Sequence, residues 1–181
     1  MTTRKTDPLL LAGKVIAIFM QGVMAVGAIA LVIAMPVLIF FRADIVAEYA
    51  EASGNPDAVF PVFTAVGVMA IGLAIVAAMF VFFGRLRRII DTVGDGDPFD
   101  PANADRLSLM GWLMLGVQLL FLPATALGVH LAQYADELEN AHVTIDGGLD
   151  LSGILLVVIL FILARVFRHG AAMRADLEGT V

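Results

Sequence analysis

Long stretches without a formally charged side chain alternate along this sequence with short charged segments. Three uncharged runs cover residues 15–41, 58–84 and 107–135, counting His130 as neutral, and a fourth covers 151–164. An α-helix rises about 1.5 Å per residue and needs roughly 20 apolar residues to cross a bilayer core. The first three runs each predict a membrane-spanning helix. The fourth is short for that role, but Arg165 near its end can reach back to the headgroups and let the span continue through Phe167. The predicted spans are therefore 15–41, 58–84, 107–133 and 149–167.

Basic residues choose the orientation. Arg4, Lys5 and Lys14 precede the first span, and Arg85, Arg87, Arg88 and Arg106 lie between the second and third. Arg165, Arg168 and Arg174 stand at or beyond the end of the fourth; only Arg42 falls in the first outer loop, and none in the third loop. With four spans and both termini inside, ten basic residues are cytoplasmic and one is outside, the layout that the positive-inside rule favours. A three-span chain would strand the basic tail outside. The expected architecture is all-α, an integral membrane four-helix bundle with both termini cytoplasmic. Residues 1–181 then form a single membrane domain, with a cytoplasmic loop 85–106 and external loops 42–57 and 134–148. Ala28-Ile29-Ala30 imitates a signal-peptide cleavage site, but the apolar run is far longer than such a segment uses.

Composition agrees. The 181 residues are 60% hydrophobic and 15% charged, with a mean hydropathy of +0.94. Soluble domains lie near 45–50% apolar and about 25% charged. A net charge of −6 argues against direct nucleic-acid binding. With no cysteine there is no disulfide, thiolate metal site or iron–sulfur cluster. No Gly-rich phosphate loop, nucleophile elbow or His-Glu-x-x-His motif occurs, so neither an enzyme nor a bound cofactor is expected.

The outer loops are acidic, with Asp44, Glu48, Glu51 and Asp57 in the first and Asp136, Glu137, Glu139, Asp146 and Asp150 in the third. The first reads as helical through Ala52 and breaks at Ser53-Gly54-Asn55-Pro56. In the third, Val143-Thr144-Ile145 reads as a short extended stretch before a glycine turn. Solubilising surface is the default reading; a cation site joining these carboxylates to His130 and His142 lacks metal-ligand spacing, and no metal is assigned. In the inner loop, Arg85, Arg87 and Arg88 can meet anionic headgroups. Gly94-Asp95-Gly96-Asp97-Pro98 then breaks the helix. Asp100 before Pro101 reads as an N-cap and a first-turn proline, so a new helix begins there.

Gly96-Asp97-Pro98-Phe99-Asp100-Pro101-Ala102-Asn103 resembles the Gly-Asp-Pro-Phe…Asn signature of the bacterial membrane family called domain of unknown function 2975. The tail from Leu163 through Arg165-Val166-Phe167-Arg168-His169-Gly170 to Asp176-Leu177-Glu178 is similar to that family's C-terminal motif. The resemblance extends over essentially the whole chain and implies four helices but no established activity. Members are often encoded beside a small helix-turn-helix regulator, so the resemblance implies such a cytoplasmic protein as a partner. On that basis Phe99, Asn103, Arg168 and Arg174 are candidate partner-binding residues.

Other positions have plainer roles. Gln21, Gln118 and Thr125 are polar groups inside spans, and the last two are seven apart on one helix face. Hydrogen bonding between helices is their default role; a small transporter or channel-like bundle is the alternative. Small residues recur at fourfold spacing in Ala70/Ala74/Ala78 and Ala124/Gly128/Ala132. Such rows let helix backbones approach, within one chain or in a homo-oligomer. The functional expectation is a non-enzymatic membrane protein that docks or sequesters a regulator through its inner loop and C-terminal helix.

Overall fold

The structure is a computed structural model, and it describes residues 7–135 and 150–178. The third loop from Asp136 to residue 149, with His142 and the extended stretch at 143–145, lies outside the described residues. Five helices follow in order: α1 (Pro8–Phe40), α2 (Arg42–Ala52), α3 (Val62–Gly94), α4 (Pro101–Ala135) and α5 (Leu151–Glu178). Among the described residues there is no strand. The protein is all-α.

Three of the helix starts share one device. A helix leaves its first N–H groups without internal partners, and an aspartate just ahead can accept from them. Asp7 Oδ1 accepts from Leu9 N at 2.9 Å, Asp100 Oδ1 from Ala102 N at 2.9 Å, and Asp150 from Ser152 N and Gly153 N, both at 3.0 Å. Pro8 and Pro101 occupy the first helical position, where a missing N–H costs nothing. Between α1 and α2 only Phe41 intervenes: its N–H reaches the Val37 carbonyl and its carbonyl accepts from Ile45 N, both at 3.0 Å. The segment after the first span is thus helical through Ala52, as its pattern predicts.

Helices α1, α3, α4 and α5 are each long and apolar enough to cross a membrane. Thirty-three residues of α3 span about 50 Å, against a hydrocarbon core of roughly 30 Å. The surplus explains why Arg85 through Asp91 stay helical after the apolar run has ended. Large apolar side chains such as Phe19 and Val26 are more than 60% exposed. Water would oppose that arrangement; lipid tails are their matching solvent. The chain is a multi-pass membrane protein.

The helices pack in two compact units. The first contains α1 through Ala25, α3 from Ala77, α4 through Val117, and α5. Its core is Phe82, Ile89, Leu107, Met110, Leu160 and Ala164. Gly111 lets the Phe161 ring approach so closely that a Cβ there would lie 3.1 Å from it. The second unit contains α1 from Val26, α2, α3 through Val76, and α4 from Gln118. Here buried Tyr49 lies 5.5 Å from Phe60 and donates its hydroxyl to the Tyr134 carbonyl at 3.2 Å.

The small-residue rows divide. Gly128 is buried, with Ala124 and Ala132 half-buried, so that row faces protein. The Ala70/Ala74/Ala78 row corrects the expectation of packing within the chain: Ala70 and Ala74 are exposed and Ala78 is half-buried. Fourfold spacing identifies a face of a helix but not the direction in which that face turns. In the second unit glycines supply the close approaches instead. A Cβ on Gly67 would meet Leu127 at 3.4 Å, and one on Gly72 would meet Leu31 at 3.8 Å.

Candidate functional site

The turn between α3 and α4 joins α5 through Asp97 and Phe99. The chain leaves α3 with the Asp97 N–H bonded to the Thr92 carbonyl at 3.0 Å and the Gly96 N–H to the Val93 carbonyl at 3.0 Å. Gly96 stands at φ +86°, a left-handed conformation that only glycine adopts without steric cost. Pro98 follows, and Asp100 caps α4.

Asn103 is the centre of this turn and has no exposed surface. Its Nδ2 donates to Thr92 Oγ1 at 2.8 Å and to the Pro98 carbonyl at 3.1 Å. Its Oδ1 accepts from Arg106 Nη1 at 2.7 Å. Thr92 in turn donates to the Ile89 carbonyl at 2.8 Å. Every polar atom of the amide is therefore used, as burial of such a group requires. Arg106 lies 3.7 Å from Asp100 Oδ2, adding an ion pair to the same turn.

Around this fixed turn lie the contacts to α5. The Phe99 ring packs on Phe167 with centroids 5.7 Å apart. It also covers Gly170, where a Cβ would fall 2.5 Å from the ring. Asp97 accepts from Arg174, and Asp105 pairs with Arg168 at 3.4 Å. Both pairs are open to solvent, so each contributes about 0–1 kcal/mol and mainly fixes geometry. Beyond them Met173 and Leu177 are 61% and 72% exposed.

Of the four candidate partner-binding residues, three lie on this surface. Phe99 is 41% exposed, and Arg168 and Arg174 are exposed. Asn103 is a correction: with no exposed surface it is closed to any partner, because its amide supplies hydrogen bonds that the turn's own backbone needs. Elsewhere Gln118 is buried, whereas Gln21 and Thr125 are half-buried. His130 is exposed with its ring edge-on to Tyr134 at 5.4 Å. Among the described residues no group of three metal-ligating side chains converges. Sequence reasoning missed Thr92 and Gly170. A hydroxyl near a helix end and a glycine inside a terminal motif were the available signals.

The family described as a protein of unknown function, DUF2975, matches residues 44–181. The match takes in the turn motif and the whole of α5 but begins within α2, so α1 lies outside it. This narrows the expected whole-chain resemblance. No curated protein and no solved structure matches the chain.

Proposed function

The chain belongs to this family of unknown function, and from that premise we propose that it is a non-enzymatic docking protein of the bacterial inner membrane. Both termini and the α3–α4 turn lie in the cytoplasm, and the external loops carry the acidic residues. The turn together with α5 from Phe167 onward forms the face that holds a small helix-turn-helix regulator. DNA is contacted by that regulator, not by this chain.

The observation that carries this reading is the tie between turn and helix. Phe99–Phe167, Asp97–Arg174 and Asp105–Arg168 fasten residues from the turn, the start of α4 and α5 into one ordered surface. A preformed surface loses less side-chain and loop freedom on binding than a mobile one. Arg168 and Arg174 provide charge for an acidic patch, and Met173 and Leu177 provide exposed apolar area beside it. The orientation rests on charge: the first unit contains every described basic residue except Arg42.

The test is recovery of the regulator encoded beside the gene, using the full chain in mild detergent. Arg168→Glu should lower recovery roughly tenfold by reversing a contact charge, at unchanged membrane insertion. Phe99→Ala should lower it as well. Undiminished recovery with both variants refutes the docking face. Reporter fusions at residues 94–96 should read cytoplasmic and one at Gly147 external; a cytoplasmic signal at Gly147 refutes the orientation. Substrate flux through liposomes containing the purified chain would favour the transporter alternative.

A further inference from the structure

A second arrangement of charged and polar groups lies between α1 and α3 in the first unit. Lys14 Nζ meets Asp91 Oδ1 at 2.6 Å, and Arg87 Nε approaches the other oxygen at 3.9 Å. Seven residues along α1 from Lys14, two helical turns on the same face, stands Gln21. Seven residues back along α3 from Asp91 stands Gly84. Gln21 Nε2 lies only 2.9 Å from where a Cβ on Gly84 would be, so the amide occupies space that exists because this position has no side chain.

Beside these groups is an open cleft of about 480 Å³, lined by Gln21, Gly84, Phe80, Val81, Arg85, Arg87, Arg88 and Asp91. Asp91, its one carboxylate, is already engaged by Lys14 and Arg87. Among the described residues Arg85 and Arg88 have no carboxylate partner, so the cleft carries surplus positive charge. Its remaining wall is apolar: Phe80 and Val81 are 40% and 38% exposed. Arg85 is the first charged residue after the uncharged run of α3, which puts it at the depth of the headgroups.

A cleft that is cationic and amide-bearing at one end and apolar at the other fits a ligand divided in the same way. We propose that it binds the phosphodiester headgroup of an anionic phospholipid. Arg85 and Arg88 donate to phosphate oxygens, for which guanidinium geometry is well matched. Gln21 Nε2 donates to a phosphate or glycerol oxygen, and an acyl chain runs along Phe80 and Val81. Diffuse attraction to an anionic leaflet needs only charge. This site adds the Gln21 amide and the missing side chain at position 84, and it stands whether or not a regulator docks on the turn.

Native mass spectrometry of the full chain in detergent, titrated with phosphatidylglycerol, phosphatidylcholine or inorganic phosphate, tests the proposal. One phosphatidylglycerol should be retained in clear preference to phosphatidylcholine. Arg85→Gln with Arg88→Gln should weaken retention roughly thirtyfold, given the attraction that each basic side chain adds near an anionic lipid. Gly84→Ala keeps every charge but displaces Gln21, and it too should weaken retention. Arg165→Gln, an exposed arginine outside the cleft, should leave it unchanged. Equal retention of both lipids overturns the site. So does an equal loss from Arg165→Gln, which would mark diffuse attraction. Displacement of the lipid by phosphate at equal concentration would mark an adventitious anion and overturn it as well. Should the double variant fail to fold, Gly84→Ala alone decides.

Discussion

Asn103→Ala isolates the hydrogen bonding that fixes the α3–α4 turn. The substitution deletes two neutral hydrogen bonds, to Thr92 Oγ1 and the Pro98 carbonyl, and one donated by the Arg106 guanidinium. Neutral bonds contribute about 1 kcal/mol net and one to a charged group about 1.5–3 kcal/mol. Some of this is recoverable: Arg106 can move toward Asp100 Oδ2, now 3.7 Å away, and Thr92 keeps its bond to the Ile89 carbonyl. A net loss of roughly 3 kcal/mol remains, which for a chain of this size corresponds to a melting shift of about 6–12 °C. Thermal unfolding in detergent, followed by circular dichroism, measures it. Asn103→Asp serves as the internal comparison, because the carboxylate still accepts from Arg106 but cannot donate to Pro98 or Thr92. Its loss should match or exceed that of Asn103→Ala, because a buried carboxylate oxygen would face the Pro98 carbonyl with no proton between them. A shift of less than about 2 °C for Asn103→Ala would refute the assigned role, since even one lost buried hydrogen bond should exceed it.

Two further outcomes follow from the packing. Gly170→Ala should displace the Phe99 ring and cost about 1 kcal/mol in the same unfolding assay; adding Phe99→Ala should remove most of that cost, because the clash disappears with the ring. Ala74→Leu should leave the melting temperature within about 2 °C of the parent, because position 74 is exposed; a larger loss would place that face against another helix.

Local chemistry made the chain's punctuation legible. The break at residues 94–98 and the restart at Asp100-Pro101 could be read directly, because glycine, proline and aspartate act on their own backbone wherever they stand. The persistence of helix through Ala52 was legible for the same reason. The facing of the helices was not. In lipid, the outward and inward sides of a helix are both apolar, so α4 has no amphipathic contrast to orient Ala124 or Gly128. The same ambiguity made Ala74 look like a packing residue while Gly67, Gly84 and Gly111 made the close approaches. Asn103 was misjudged for a different reason. A polar residue in a polar loop motif reads as surface, and its burial depends on a turn that brings Thr92 and Pro98 around it.

The pairing of Asp97 with Arg174 also has a consequence for biogenesis. The partners are 77 positions apart in the chain. At about 5–20 residues per second, translation reaches Arg174 some 4–15 s after Asp97. Until Phe167 and Gly170 follow, Phe99 lacks the cover that they give it. A less covered Phe99 ring therefore distinguishes every nascent copy whose final helix has not arrived. The docking of α5 then covers one side of the ring and leaves the other open, at 41% exposure, in the finished fold.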